Sequence, residues 1–256
     1  MNRIKVIVFL AIFINAGTAF AQRGLQNLQE LDYEPYHFGF LLGYNQMGFS
    51  IRQDKDSLNH TYSANQFGGQ KGQTALLKSA EPNSATGFTI GIVGNLRLAE
   101  HFDLRFIPSL SFGERDLTYN YILQEPSTKN DTVSLTKSIK STLLEFPLDL
   151  KYKGKRINNA RPYILGGIKY VLDLSSDAKK NTSSQPDDQF TVKLRQTDLY
   201  GELGAGFDFY FEWFKMGLEA KMSYGLRDIL VRDNSMFTGA INRLNSKIFQ
   251  LSLTFE

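Results

Sequence analysis

Hydrophobic and polar residues alternate with a period of two along many short stretches of this chain, most clearly at its end. The apolar positions there are Phe249, Leu251, Leu253 and Phe255, and the polar positions are Gln250, Ser252, Thr254 and Glu256. This period predicts a β-strand with one apolar and one polar side. A last strand with an open edge invites aggregation, so we expect it to close a sheet by pairing with the strand around residues 38–44.

The same period predicts seven earlier strands, which makes about eight in all. In the first of them the alternation slips near Gln46, which predicts a β-bulge there. The third can run on as far as Tyr121. The seven alternating stretches cover residues 36–51, 88–98, 102–112, 144–152, 161–174, 202–209 and 214–224.

The connections between these strands alternate between long and short. Polar stretches at 54–86, 123–141, 175–191 and 228–245 predict long loops, and 54–86 has one apolar patch around Leu76 that favours partial order. Tight turns are predicted at 99–101, 153–160 and 211–213. An even strand number with alternating long and short connections is typical of bacterial outer-membrane barrels. The sequence therefore predicts an all-β fold, a transmembrane antiparallel up-and-down β-barrel with long extracellular loops and short periplasmic turns.

A secreted β-sandwich is the competing fold, and charges opposite the apolar faces argue against it. In a sandwich those charges would face water, whereas in a barrel they face the lumen. Eight strands leave room only for side chains, so we expect the charges to pair there rather than to line a conduit for a folded protein. The predicted lumen charges are Asp103, Arg105, Glu145, Asp149, Lys151, Glu202, Asp208, Glu219 and Lys221.

Aromatic residues recur near the predicted strand ends, where membrane-interface girdles belong. A sheet that spans lipid must also close, because each unpaired backbone group costs several kcal/mol there. The predicted girdle residues are Tyr36, Phe102, Tyr152, Tyr163, Phe211, Trp213, Phe214 and Phe255.

The first residues predict export, and together with the barrel pattern they predict a multi-pass protein of the cell outer membrane. A short basic start precedes an apolar run at 6–16, and the small residues Ala19 and Ala21 frame a cleavage site. Such a pattern is typical of a signal peptide and predicts cleavage between Ala21 and Gln22. The expected organisation is a signal peptide at 1–21, an N-terminal periplasmic linker at 22–35 and the barrel at 36–256.

Composition narrows the partners and the chemistry. Removing Arg3 and Lys5 with the signal leaves 27 of the 29 basic residues against 26 acidic ones. No basic stripe with interleaved aromatic residues occurs, so we expect no nucleic acid as a partner. The predicted barrel makes the lipid bilayer the expected partner. The absence of cysteine excludes a disulfide framework.

Catalytic and metal-binding patterns are weak. The three histidines do not form a pair at metal-ligand spacing. His60 near Asp54, Asp56 and Ser57 resembles a hydrolase constellation, but such residues are common in polar loops. The glycines of 201–206 lie inside a strand pattern and open no helix, which favours bends or close side-chain packing over phosphate binding. We therefore expect no catalytic residues, no metal and no cofactor.

Several blocks resemble the PorT family of type IX secretion, in the family's order and over most of the chain. They are residues 87–98 with 104–110, 144–152 with its Phe146-Pro147-Leu148, 161–167 with its Arg161-Pro162-Tyr163, 202–215 and 251–256. The resemblance implies a non-enzymatic outer-membrane protein needed to export cargo through the type IX machinery, and for gliding motility where that occurs. It also implies other type IX components as partners. A small passive channel or structural barrel is the alternative, and an enzyme with a loop site at His60 is a third hypothesis.

Overall fold

A computed structural model describes residues 27, 28, 30, 33–53, 60–124, 131–176, 192–233 and 235–256. The predicted signal peptide and its cleavage between Ala21 and Gln22 lie outside these residues. The described elements are β1 (Tyr36–Gln53), β2 (Thr61–Ser63), α1 (Ala64–Phe67), β3 (Thr74–Arg97), β4 (Phe102–Phe106), β5 (Ser109–Gln124), β6 (Asp131–Lys153), β7 (Ala160–Asp173), β8 (Thr197–Tyr210), β9 (Lys215–Gly225), α2 (Met236–Gly239) and β10 (Ile241–Phe255).

The strands form a closed antiparallel ring. β1 pairs with β3 on one side and with β10 on the other, and β3 continues through β4 and β5 to β6, β7, β8, β9 and β10. β4 and β5 share one place in the ring, so eight positions close it. The closing pair runs in register, with Phe40 opposite Phe255 and Tyr44 opposite Leu251. This confirms the predicted up-and-down barrel.

The predicted third strand is interrupted at Pro108. β4 ends at Phe106 and β5 begins at Ser109, and both keep the same register against β3 and β6. Proline has no backbone N–H to donate, so the ladder loses a bond there and the strand divides in two. Among the described residues no helix is both long and apolar enough to cross a bilayer.

One end of the ring carries the three short turns that were predicted. They connect β3 to β4, β6 to β7 and β8 to β9, and the beginning of β1 and the end of β10 lie at the same end. At the opposite end the connections from β1 to β3, from β7 to β8 and from β9 to β10 are longer, whereas residues 125–130, which join β5 to β6, match the β6–β7 turn in length. By the rule for outer-membrane barrels, the short turns face the periplasm and the long connections face the exterior.

A band of apolar side chains surrounds the periplasmic part of the ring on its outer face. Their exposure is what a lipid-facing surface requires, because the hydrocarbon replaces the water that they would otherwise meet. Members of this band include Phe38, Phe40, Leu42, Tyr44, Phe88, Ile90, Ile92, Leu148, Leu150, Leu203, Phe207, Leu218, Met222, Phe249, Leu251 and Leu253.

Above this band five strands (β1, β3, β5, β6 and β10) continue, and the apolar face changes sides. In β1, Tyr44 is exposed whereas Met47 and Phe49 are buried inside. In β6 the outer positions Ser134 and Thr136 are exposed, and the inner Leu135 packs against buried residues. The strands therefore leave the lipid, and their outer faces meet water.

This change of face corrects the prediction of a bulge near Gln46. The register of β1 against β10 is unbroken from Phe40 to Arg52, and the irregularity falls between Arg52 and Gln53. The slip in the pattern marks the point where apolar side chains turn from the lipid to the interior.

The continuing strands also correct the predicted loop boundaries. Within 54–86, the stretch 60–86 contains β2, α1 and the start of β3, and within 123–141 the residues from Asp131 belong to β6. The stretch 228–245 contains α2 and the start of β10. These segments are polar on the side that faces water, which made them resemble loops. Residues 54–59 and most of 175–191 lie outside the described part of the chain.

The inner faces of the continuing strands enclose a hydrophobic cluster, which we call the extracellular core. α2 begins after Ser235, whose hydroxyl accepts a hydrogen bond from the Thr238 N–H at 3.4 Å, and it places Phe237 in this cluster. The Tyr119 hydroxyl donates to the Phe237 carbonyl at 2.9 Å, and burial, with the nearby Asp233, raises the pKa of Tyr119. The extracellular core comprises Phe49, Tyr62, Ala75, Leu77, Ala80, Leu117, Tyr119, Val192, Leu194, Ile229, Leu230, Met236, Phe237, Ala240, Ile241 and Leu244.

Candidate functional site

The interior of the lipid-spanning ring is polar and charged, because alternate residues of each strand point inward. All nine charges singled out in the sequence are buried there. β4 supplies Asp103 and Arg105, β6 supplies Glu145, Asp149 and Lys151, β8 supplies Glu202 and Asp208, and β9 supplies Glu219 and Lys221.

One ion pair spans the full width of the lumen. The Arg105 Nη1 lies 2.6 Å from the Glu219 Oε2, and both side chains are fully buried. β4 and β9 are four positions apart in the ring of eight, on opposite walls. The Tyr163 hydroxyl, from β7, donates to the same Glu219 oxygen at 3.0 Å. Three walls therefore meet at one carboxylate.

A second cation extends this link along the lumen. The Lys221 Nζ lies 3.2 Å from an Asp149 oxygen, 3.4 Å from a Glu202 oxygen and 4.0 Å from a Glu219 oxygen. The Lys169 Nζ, from β7, lies 3.1 Å from Glu145 and 3.1 Å from Glu202. Cations and carboxylates thus alternate from Arg105 to Glu145 without a break. We call this chain, with the pairs below it, the lumenal network.

Three further pairs lie towards the periplasmic end. Lys151 pairs with Asp208 at 2.7 Å and holds its ammonium 3.7 Å from the centre of the Tyr163 ring. Neighbouring strands supply the other two. Lys153 pairs with Asp103 at 2.6 Å, and Lys215 pairs with Glu256 at 2.5 Å.

At the extracellular end of the lumen, Arg115 joins the lumenal network to the extracellular core. Its guanidinium donates to Asp173 at 2.7 Å, to Ser141 at 2.8 Å and to Ser246 at 3.1 Å. It also lies 5.0 Å from the centre of the Phe49 ring. These partners come from β6, β7 and β10, so Arg115 bridges the walls just below the extracellular core.

Several members of the network were not among the nine predicted lumen charges. Strict alternation would have found some of them, since Lys153 follows Lys151 by two positions and Lys169, Lys215 and Glu256 lie on the polar faces of their strands. Arg115 gives no such signal, because Glu114 and Asp116 on the opposite face of that strand are charged as well. The additional members are Arg115, Lys153, Lys169, Asp173, Lys215 and Glu256.

The aromatic girdle forms with one exception. Tyr36, Phe102, Tyr152, Phe211 and Trp213 are exposed at the periplasmic margin of the band, together with Phe214, while Phe255 is partly exposed. Tyr163 is 3% exposed and points into the lumen, where it binds Glu219. Its inward position follows from the alternation of β7, in which Ile164 faces the lipid.

One glycine of β8, Gly206, makes room for Tyr163. Gly206 lies opposite Tyr163, and a Cβ there would lie 2.6 Å from the tyrosine ring and hydroxyl and 2.4 Å from the Leu218 carbonyl oxygen. Gly201, on the outer face of the same strand, would place its Cβ 4.0 Å from Leu226. The inner glycine therefore serves packing, in line with the expectation from its strand context.

Gly206→Ala is expected to destabilise the folded barrel by about 1–3 kcal/mol, because the new methyl group displaces Tyr163 from Glu219. Gly201→Ala, the matched control, is expected to change stability by less than about 0.5 kcal/mol. Urea unfolding in detergent micelles measures both, and equal stability of the two variants would show that the Tyr163 contact is unimportant.

The N-terminal residues that the structure describes lie across the periplasmic opening. The Asn27 N–H donates to the Asn159 Oδ1 at 2.9 Å, and its side-chain amide donates to the Tyr210 carbonyl at 3.2 Å. Arg156 donates to the Asn27 carbonyl and lies 3.7 Å from the Tyr210 ring centre. The chain thus reaches from β1 to the ends of β7 and β8 before the barrel begins.

The histidines are scattered. His37 is buried at the periplasmic end of β1, beside Glu34 at 3.7 Å. His60 is exposed before β2 and packs edge-on against Tyr62, while His101 lies in the β3–β4 turn. The neighbours expected for His60 at 54–57 fall outside the described residues. Within the described ranges, no three His, Asp or Glu side chains form a group that could hold a metal ion.

Ion pairs between its walls cross the lumen. Arg105–Glu219, Lys221–Asp149 and the Arg115 contacts with Asp173 and Ser246 run between walls that are not neighbours. Bonds of this kind occupy the space that a channel would need, since eight strands enclose little more than their own side chains.

Comparisons with known proteins agree with this architecture. A family model described as outer membrane protein beta-barrel domain matches residues 20–231. No curated protein matches the chain. Among solved structures, the outer membrane protein OprG from Pseudomonas aeruginosa is 13% identical, with 85% of this chain and 94% of that chain covered and a TM-score of 0.39.

Two other solved barrels are similar to a comparable degree. Neisserial surface protein A is 12% identical over 86% of this chain and 98% of that chain, with a TM-score of 0.38. The N-terminal β-barrel domain of OprF from Pseudomonas aeruginosa is 16% identical over 84% and 96%, with a TM-score of 0.31. The family assignment of this chain therefore rests on the family model. The chain belongs to the outer membrane protein β-barrel domain family and lies in the outer membrane.

Proposed function

We propose that this barrel is a non-enzymatic component of type IX protein secretion, of the PorT kind, which acts through partner proteins. The observation that carries the proposal is the set of sequence blocks at 87–110, 144–167, 202–215 and 251–256, which resemble that family in order. They contribute β3, β4, β6, β7, β8 and β10, so the resemblance extends around most of the ring.

The closed lumen supports a role through partners. Arg105–Glu219 and Lys221–Asp149 connect distant walls, which supports a barrel that does not itself conduct cargo. A barrel that cannot conduct cargo contributes to export by contact with the proteins that do. The same cross-lumen bonds argue against the alternative of a small passive channel. The genetic test below distinguishes a secretion component from a purely structural barrel.

Surfaces for such contacts exist at both ends. On the periplasmic side, Ile157 is 68% exposed in the β6–β7 turn. On the outside, the water-facing side of β6 exposes Ser134, Thr136 and Ser138. Single exposed apolar side chains are common on protein surfaces, so Ile157 serves as the position at which a periplasmic contact is tested.

The genetic test is deletion of the gene in the native bacterium. We expect cargo proteins of the type IX pathway to accumulate in the periplasm, and gliding to stop where the bacterium glides. A plasmid copy of the wild-type gene is the control and should restore both. Normal secretion in the deletion strain would contradict the proposal and leave the structural barrel as the better interpretation.

Contact with partners is tested separately, by site-specific photo-crosslinking in cells. A crosslinker at Ile157 is expected to capture a type IX component, because this side chain extends from a periplasmic turn. The matched control is a crosslinker at Leu251, which faces lipid and should capture no protein. A third crosslinker, at Thr136, samples the outer, water-facing side of β6. Equal capture at Ile157 and Leu251, or no capture at either Ile157 or Thr136, would count against a role through partners.

A further inference from the structure

Above the apolar band, charge is distributed unevenly around the outside of the barrel. The side formed by β3, β5 and β6 carries both signs, with Lys78, Glu81, Glu114, Asp116 and Lys140. The side formed by β8, β9, β10 and β1, with the segments that extend from them, is predominantly basic. Arg232 on this side is paired with Asp228, and we call the other exposed cations that the structure describes here the basic patch: Arg52, Arg195, Arg227, Arg243 and Lys247.

The centre of the basic patch brings two arginines together. Arg52 of β1 and Arg243 of β10 are direct cross-strand partners, and both are exposed. Like charges in this position repel and destabilise a sheet. Among the described residues, no carboxylate pairs with either arginine. The Arg243 Nη2 donates to the Leu226 carbonyl at 2.7 Å, which holds its guanidinium over the end of β9.

The exposed or partly exposed carboxylates that the structure describes on this side are already engaged, since Asp233 accepts the Ser235 N–H at 3.1 Å and the Thr238 hydroxyl at 2.5 Å. Asp228 pairs with Arg232 at 2.7 Å and accepts the Leu244 N–H at 3.1 Å. Although its partial burial acts in the opposite direction, these hydrogen bonds keep the pKa of Asp228 below its usual value. It therefore remains charged and satisfied without neutralising Arg52 or Arg243.

The basic patch is continuous with the edge of the lipid band. Lys247 lies opposite Tyr224 and two positions above the lipid-facing Phe249, while the Tyr224 hydroxyl lies 3.4 Å from the Ser50 hydroxyl on β1. At about 3.3 Å per residue, Lys247 is roughly 7 Å and Arg243 roughly 20 Å along the strand from Phe249. The cations thus begin at the headgroup level and continue above it.

We propose that the basic patch binds the phosphate groups of a phosphorylated glycolipid in the outer leaflet. Guanidinium groups bind phosphate in a bidentate manner, and an anion between Arg52 and Arg243 removes their mutual repulsion. Lys247 meets phosphate at the headgroup, and the aromatic margin formed by Tyr224 and Phe249 packs against the acyl chains. The anchoring to the lipid band assigns the ligand to a glycolipid rather than to free phosphate.

The test compares two double variants of the full mature protein, folded in detergent and titrated with lipopolysaccharide by native mass spectrometry. Arg52→Gln/Arg243→Gln is expected to bind about tenfold more weakly than wild type, as loss of two charge-assisted contacts implies. Lys71→Gln/Lys140→Gln removes the same charge from exposed positions outside the basic patch and should bind within about twofold of wild type. Heat-dependent gel mobility confirms that each variant is folded.

Chemical removal of phosphate from the lipopolysaccharide separates the charge effect from other contacts. We expect wild type to lose affinity for the dephosphorylated glycolipid and the Arg52/Arg243 variant to show no further loss. Equal affinity of the two double variants for intact lipopolysaccharide would overturn the proposal. So would equal binding with and without glycolipid phosphate, or displacement by inorganic phosphate alone at similar concentration.

Discussion

Arg105→Met is expected to lower the free energy of unfolding by about 3–5 kcal/mol, because it leaves Glu219 buried and without its principal cation. The Arg105–Glu219 bond is 2.6 Å long and both side chains are fully buried. A buried carboxylate that loses its partner retains the cost of desolvation and loses the attraction that offset it. The same bond also links walls four places apart in the ring, so its loss loosens β4 and β9 together.

Two controls separate this effect from a general loss of charge. Lys140→Met removes an exposed cation from β6 and should change stability by less than about 1 kcal/mol. Arg105→Met/Glu219→Gln removes both charges and should recover part of the loss, because no uncompensated charge remains. Guanidinium unfolding in micelles, followed by Trp213 fluorescence and gel mobility, measures all three. A single Arg105 variant as stable as wild type would contradict a structural role for the lumenal network.

Phe237→Ala is expected to destabilise the extracellular core by about 3–5 kcal/mol while the lipid-spanning ring stays intact. Phe237 is 1% exposed, and its ring meets Tyr119 edge-on at 5.0 Å between ring centres. The substitution opens a cavity among side chains that lie above the membrane. The ring below is held by its own ladder and by the lumenal network, so it does not depend on Phe237.

Protease added to intact cells measures this separation. We expect Phe237→Ala to be cut in the extracellular strands while a membrane-protected barrel fragment remains. Thr136→Ala, on the exposed outer face of β6, is the matched control and should resist cleavage as wild type does. Loss of the whole protein from the outer membrane in Phe237→Ala would show that the extracellular core and the ring fold as one unit.

The lipid-spanning part of the fold could be predicted from sequence because its two environments differ at every second residue. In β10, Phe249, Leu251 and Leu253 face lipid and the residues between them face the lumen. The alternation therefore gave the strand, its faces and its partner β1. The same reasoning identified the nine charges, since a charge opposite a lipid-facing residue has only the lumen to enter.

The extracellular part could not be predicted in this way. Met47 and Phe49 keep the period of two but on the opposite face, and a one-residue shift in the pattern has the same signature whether a bulge or a change of environment causes it. The outer faces of β3 and β6 meet water, so their residues have loop-like composition although they form strands. Period alone does not show which solvent lies outside a sheet.

The partner of each charged side chain inside the lumen also could not be predicted from the sequence. Arg105 and Glu219 are 114 positions apart, and only the closed ring with its register brings them together. Tyr163 was assigned to the girdle because it lies near a short turn, yet its place in the alternation of β7 directs it inward. Arg115 sits between two acidic neighbours, so its face is undetermined until the neighbouring strands are known.

Planar-bilayer conductance measures directly whether the lumenal network closes this barrel to ions. Purified wild-type protein, shown to be folded by heat-dependent gel mobility, is inserted into a planar bilayer at neutral pH and the current is recorded across a range of voltages. We expect no reproducible conductance steps, because Arg105–Glu219 and Lys221–Asp149 cross the lumen. Reproducible steps of uniform size from the wild-type barrel would contradict it.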